Sequence, residues 1–329
     1  GKISLISQSG AFMGVLVNEM NSREVGLGKF VSIGNQTDLR HQEIIEYFGN
    51  DEDTSVIGLF IEEVKDGRGF LSVVERVSKV KPIVIFKAGR TTAGRRATLT
   101  HTGSMAGDFA VAQAAFKQAG ALTADTTEDF FDSLFALAYN HDRLPKDDRV
   151  GIVTISGGPS VVATDFGGEV GLRVPELRPE TQEKIRGYVP FFSAVSNPVD
   201  MTVGIPLSNL GPCVDALMSA PDISGAFALN WGWDVTQFAE AFVQARNRYA
   251  KPILAFACEN PKVQKILHKN GILNFPAPER AVKAYRGLVE YERVKGKRVS
   301  RRAFNSKPSR TIGEIESGKH SILNEYISK

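Results

Sequence analysis

Short apolar runs rich in β-branched residues alternate along this chain with stretches whose apolar positions recur at helical spacing. In the first part the pattern predicts strands over Ile3–Ser7, Lys29–Ile33, Val56–Ile61, Pro82–Lys87 and Ala121–Ala124. Helices are expected over Ala11–Asn21, Leu39–Phe48, Gly69–Ser78, Asp108–Gln118 and Thr127–Tyr139, with a loop around His101. The polar, turn-rich stretch His141–Asp148 interrupts this pattern, which then restarts. Strands are expected over Val150–Ser156, Ile223–Leu229 and Pro252–Ala257. Helices are expected over Pro159–Gly167, Pro179–Gly187, Ser208–Ser219, Thr236–Arg246, Pro261–His268 and Pro278–Val294. Alternation of this kind implies parallel sheets covered on both faces by helices. Both blocks open alike, with a strand, a Ser/Gly turn and a helix. The expected division is 1–145, 146–294 and a basic linker over 295–329, whose end, Ile322–Lys329, reads as the start of another helix.

Composition narrows the function classes. An apolar fraction of 42% and a charged fraction of 23% are those of an ordinary globular protein. A net charge of +3 gives no field suited to nucleic acid. No apolar run reaches the roughly 18 residues that a membrane helix needs. The two cysteines, Cys213 and Cys258, have no metal-ligand spacing and suggest no disulfide framework. The five histidines are scattered, so no metal site is expected. No signal peptide is visible, and a cytoplasmic location is expected. The chain opens on Gly1 and passes at once into a strand pattern, as a piece of a longer polypeptide would.

Candidate chemistry lies at the turns. In Ser7-Gln8-Ser9-Gly10-Ala11, Ser9 and Gly10 fall where a helix begins, and free N–H groups there favour an anion. Ser156-Gly157-Gly158-Pro159 repeats this, with Gly157 and Gly158 allowing close backbone approach. Each turn alone is common in α/β folds, and neither matches a dinucleotide or Walker A fingerprint. Glu62, at the carboxyl end of an apolar strand, is placed to accept Nδ1–H of a histidine and leave Nε2 as nucleophile. Glu63 is expected to be the solvated partner. His101, in Thr100-His101-Thr102-Gly103-Ser104-Met105-Ala106-Gly107, has small neighbours that leave an imidazole free to accept a group and move it.

These residues together resemble the nucleoside-diphosphate-forming acyl-CoA synthetases, the superfamily of succinyl-CoA synthetase and ADP-forming acetyl-CoA synthetase. The resemblance rests on Leu5–Ala11, Ser32–Asn35, Ile61–Arg68, Lys87–Thr91 and, most specifically, Thr100–Gly107. Gly157–Pro159, Ser196–Asp200 and Pro278–Val282 extend it over nearly the whole chain. It implies two tandem flavodoxin-like doubly wound parallel-sheet domains. It also implies interconversion of acid, CoA and ATP with acyl-CoA, ADP and phosphate, through an acyl phosphate and a phosphohistidine. His101 matches the phosphorylated residue and Glu62 the carboxylate that orients it. Ser9-Gly10 and Gly157-Gly158 match two helix N-termini that face the phosphate. CoA and ATP or ADP are implied as substrates, with Mg2+ accompanying the nucleotide. The implied partners are a small carboxylic acid, phosphate and an ATP-grasp domain or subunit, with no nucleic acid and no membrane. A homo-oligomer is compatible with this.

Two departures stand out: Glu63 replaces a Gly common among relatives, and Gln36-Thr37-Asp38 replaces a more usual Lys-Ala-Asp. The CoA-binding Rossmann domain and the ATP-grasp domain of the family are not recognisable within these residues. An alternative keeps the fold without catalysis, as a sensing module of a larger acyltransferase; an intact His101 and Glu62 argue against it. A nicotinamide- or flavin-dependent oxidoreductase lacks its fingerprint here. Phe191, Phe192, Trp231 and Trp233 suit an acyl pocket or a core, and core packing is the expectation.

Overall fold

A computed structural model describes residues 2–102 and 107–295, with the backbone alone at His101 and Thr102. The first half runs β1 (Ile3–Ser7), α1 (Gly10–Ser22), β2 (Leu27–Ser32), α2 (His41–Asn50), β3 (Val56–Ile61) and α3 (Gly67–Val77). It continues with β4 (Ile83–Lys87), α4 (Thr92–Thr102), α5 (Phe109–Gln118), β5 (Leu122–Ala124) and α6 (Thr127–Asn140). Its five parallel strands lie in the order β2-β1-β3-β4-β5. The second half comprises β6 (Gly151–Thr154), α7 (Gly157–Glu169), α8 (Pro179–Arg186), β7 (Val199–Asp200), α9 (Leu207–Ser219) and β8 (Ala226–Trp231). It closes with α10 (Thr236–Arg248), β9 (Ile253–Cys258), α11 (Pro261–Lys269) and α12 (Pro278–Lys295). Its four parallel strands follow β7-β6-β8-β9. These are two tandem flavodoxin-like sheets, and in each the first strand in sequence lies inside the sheet.

The sequence explains this arrangement. β1 and β3 are apolar without alternation because helices cover both faces, and every residue of each is buried. β2, at the edge, alternates half-buried and exposed residues. Helix α3 carries Phe70, Val73, Val74 and Val77 on one buried stripe, and Asp66 caps it by accepting from Gly69 N–H at 3.0 Å. Thr126 and Asp129 form a reciprocal capping box at the start of α6. Gly58 lets α6 approach β3: a Cβ there would lie 3.0 Å from Phe130 Cζ and 2.7 Å from Leu5 Cδ2.

The two halves share a core. One apolar cluster joins Leu5, Phe130 and Leu134 to Phe227, Tyr285 and Leu288, so α6 and α12 form the seam. A charged cluster fastens that seam. Buried Asp132 accepts from Arg280 Nε at 2.7 Å and Nη2 at 2.8 Å, and from Arg23 Nη1 at 3.1 Å. Buried Arg246 crosses the same seam to Asn140 Oδ1 at 3.1 Å and the Tyr139 carbonyl at 2.7 Å.

His41 is fully buried, with its ring edge-on to Phe70 at 5.7 Å, and burial pushes its pKa down to about 3. The folded protein therefore holds it neutral, whereas the unfolded chain protonates it near pH 6.5. Its stabilising share is intact above pH 6.5 and is lost as pH falls from 6.5 towards 3. The expected slope is about 1.4 kcal/mol per pH unit. His41→Leu should flatten this limb in denaturant titrations at pH 7, 6, 5 and 4. An unchanged slope would contradict the assignment.

Most element boundaries shift by one to three residues from those expected. The larger difference is at His101. The backbone of Thr92–Thr102 is helical, so His101 lies in the last turn of α4 rather than on a loop. That helix has no apolar stripe. It is set by Thr91 Oγ1 accepting from Gly94 N–H at 3.0 Å and by Thr98 and Thr100 bonding back to the preceding turn. The side chain of His101 and residues 103–106 lie outside the described residues, as do Ile322–Lys329. Strand β7 is also unexpected, being two residues long. The expectation of core packing fails for Phe191 and Phe192, 89% and 65% exposed, and for Trp231, 60% exposed. They sit on loops or at a strand end, and the two Phe rings contact each other edge-on at 5.3 Å. Trp233 packs against the second core cluster as expected.

Candidate functional site

In sheets of this topology ligands approach the carboxyl ends of the strands, where strand order reverses. In the first sheet that point lies between β1 and β3, and in the second between β6 and β8. The candidate residues other than His101, whose backbone lies in α4 after β4, fall there. Ser9-Gly10 follows β1, Glu62 follows β3, and Gly157-Gly158 follows β6.

The two turns are built the same way. Ser7 Oγ donates to the Ser9 carbonyl at 2.8 Å and accepts from Ser9 N–H at 3.1 Å. Thr154 Oγ1 donates to the Ser156 carbonyl at 2.7 Å and accepts from Ser156 N–H at 2.9 Å. Each hydroxyl folds the chain sharply from strand into helix, in the manner of an ST turn. Ser9 then caps α1, its Oγ accepting from Phe12 N–H at 3.2 Å. Ser156 makes no such cap, so the first N–H groups of α7 have no side-chain oxygen from it. Gly10, Gly157 and Gly158 are exposed, and a side chain at Gly158 would meet nothing within 4 Å. Each turn thus presents backbone donors and the positive end of a helix dipole to open space. Asp200, ending β7, lies beside the second turn, with Oδ2 3.4 Å from where a Cβ on Gly157 would stand.

Glu62 is buried and Glu63 is half-buried. Their backbone is gripped from the ends of β1 and β4 and from the loop after β2. Gln8 Oε1 accepts from Glu62 N–H at 2.6 Å and Glu63 N–H at 2.9 Å. Lys87 Nζ donates to the carbonyls of Glu62 and Ala88, each at 2.7 Å. Gln36 Nε2 donates to the Glu63 carbonyl at 3.2 Å. Burial draws the Lys87 ammonium below its usual range, and the nearby carboxylates of Glu62 and Glu63 oppose that shift. Gln8 and Lys87 were absent from the expected site, although both lie inside the stretches that carry the resemblance. The signal available was a polar residue ending an apolar strand.

Residues 1–137 match the succinyl-CoA ligase like flavodoxin domain, and residues 150–273 match the ligase-CoA domain. The chain belongs to the nucleoside-diphosphate-forming acyl-CoA synthetases. It is 35% identical over 300 residues to the alpha subunit of ADP-forming acetate–CoA ligase II of Pyrococcus furiosus, covering 88% of this chain. It spans 65% of that subunit's length. It is 32% identical to the ADP-forming acetate–CoA ligase of Methanocaldococcus jannaschii, spanning 43% of that protein and 90% of itself. Among solved structures, it superposes on the dinucleotide-forming acetyl-coenzyme A synthetase 1 of Ca. Korarchaeum cryptofilum, in complex with phosphate and ADP. There the TM-score is 0.83 at 34% identity, covering 90% of this chain and 65% of that one. Among the described residues no helix is long and apolar enough to cross a membrane.

Proposed function

We propose that this chain is the phosphohistidine core of an ADP-forming acid–CoA ligase. The division into 1–145, 146–294 and a linker belongs to this reading, with one sheet and one Gly turn in each of the first two parts. The reaction is acid + CoA + ATP to acyl-CoA + ADP + phosphate. The γ-phosphoryl of ATP passes to Nε2 of His101 and ADP leaves. The acid's carboxylate then takes the phosphoryl group to form an acyl phosphate, freeing the imidazole. The CoA thiolate attacks the acyl carbon and phosphate departs. Glu62 accepts Nδ1–H and stabilises the imidazolium as it forms. Ser9-Gly10 and Gly157-Gly158 hold the phosphoryl oxygens from the two halves, each helix supplying roughly half a positive charge.

The observation that carries this reading is the pair of ST turns at the two switch points, folded by the same hydroxyl bonds, one of them beside Glu62. His101 in the last turn of α4 agrees with it, since a helix carboxyl end favours the cationic imidazole of the transfer step. A non-catalytic sensing module has no use for this carboxylate and histidine together. CoA, the acid and phosphate are the small-molecule partners. An ATP-grasp part handles ATP and ADP, with Mg2+ accompanying the nucleotide there. A cytoplasmic location suits a reaction that consumes ATP and CoA.

The reading is tested on the complete enzyme with labelled ATP. Acid-labile, base-stable label should form in the wild type and be absent from His101→Asn. Label that persists in the variant would overturn the assignment. The 329-residue chain alone should form no acyl-CoA from ATP, CoA and a panel of short-chain and aromatic acids. Turnover at about 1 per second or faster would show that the CoA and nucleotide sites lie within it.

A further inference from the structure

The end of β3 is held in a way that sheet formation does not require. The last ladder bonds there run from Gln8 N–H to the Phe60 carbonyl and from Ala88 N–H to the Ile61 carbonyl, at 3.3 and 2.8 Å. Beyond them, the N–H and C=O groups of Glu62 and Glu63 have no strand to pair with. Side chains from the ends of the two neighbouring strands, β1 and β4, and from the loop after β2 serve all four groups. Gln8 takes both N–H groups, Lys87 takes the first carbonyl, and Gln36 takes the second. All three side chains are buried.

We propose that Gln8 and Lys87 are positioning residues that lock the Glu62–Glu63 peptide, and through it the Glu62 carboxylate, for phosphoryl transfer. The proposal rests on the phosphohistidine reading above. Water or a neutral amide satisfies a carbonyl at lower desolvation cost than a buried ammonium does. The ammonium adds a fixed positive charge beside two carboxylates at the place where a phosphate dianion is received. That charge offsets the repulsion between carboxylate and phosphate while the hydrogen bonds fix the backbone. Precision matters here, because a displacement of about 1 Å in a reacting constellation costs on the order of a hundredfold in rate.

The test is single-turnover phosphorylation of the complete enzyme by labelled ATP, comparing wild type, Gln8→Met and Lys87→Met. The rate constant for label formation should fall at least about tenfold in each variant. The final labelled fraction and the half-saturating ATP concentration should stay at wild-type values. A residue that only supports the fold would lower the labelled fraction and leave the rate constant of the folded remainder unchanged, which would overturn the proposal. Wild-type rate constants in both variants would overturn it too. Should Lys87→Met lose its fold, Lys87→Gln, one bond shorter and uncharged, removes both the charge and the reach to the Glu62 carbonyl, and the same slowing is expected; a wild-type rate constant there would overturn the proposal. A wild type that forms no acid-labile label defeats the phosphohistidine reading itself and this inference with it. Slowed variants of a labelling wild type support both.

Discussion

Replacing His101 by Asn is expected to lower acyl-CoA formation by the complete enzyme by about 10^4-fold or more, with the fold intact. Losses of this order accompany removal of a nucleophile whose covalent intermediate divides one difficult transfer into two easier ones. Asparagine offers an amide of similar size but no nitrogen lone pair able to take a phosphoryl group. The backbone of the last turn of α4 does not depend on the imidazole, because Thr91, Thr98 and Thr100 set that helix. The check is steady-state acyl-CoA formation beside circular dichroism and thermal unfolding. Activity within tenfold of wild type would remove His101 from the mechanism. Glu62→Gln should cost less, because the orienting group changes while the nucleophile remains.

The second large effect is on stability. Asp132→Ala is expected to cost about 3–5 kcal/mol, the range for breaking a buried ion pair from one side. Asp132 on α6 is the shared acceptor for Arg280 on α12 and Arg23 at the end of α1. Its removal leaves two guanidinium groups facing each other in a partly buried seam. Arg280, whose pKa is raised first by its bond to Asp132, loses its bidentate partner. Because α6 and α12 carry the core shared by the halves, the loss should appear in the main transition of a denaturant titration. A change under 1 kcal/mol would mean that the apolar seam alone fastens the halves.

The architecture was legible because its signals are local. The unbroken apolar runs Ile3–Ser7 and Val56–Ile61 mark interior strands, and the Phe70–Val77 stripe marks a helix on a sheet. Helix α4 was not legible, since Thr-Ala-Gly-Arg-Arg-Ala-Thr-Leu-Thr-His-Thr carries no apolar period and leans on hydroxyl-to-backbone bonds. Strand β7 is too short to show a period. The Gly turns and Glu62 could be read from their places at strand ends. The grip on Glu62 could not. Gln8 and Lys87 act on backbone atoms 54 and 25 residues away, and a sequence does not display which carbonyl a lysine will reach. Phe191, Phe192 and Trp231 depart from the expectation because hydrophobicity alone does not separate a core ring from one exposed on a loop or at a strand end.

The most direct test of the central claim is to locate the phosphoryl group. Tryptic digestion at neutral to basic pH, after brief reaction of the complete enzyme with labelled ATP, should release a peptide spanning residues 97–117. Within this peptide His101 is the sole histidine. Acid-labile phosphate is expected on that peptide, with transfer to added carboxylic acid in the presence of CoA. Phosphate on another peptide, or none under conditions of full acyl-CoA turnover, would contradict it.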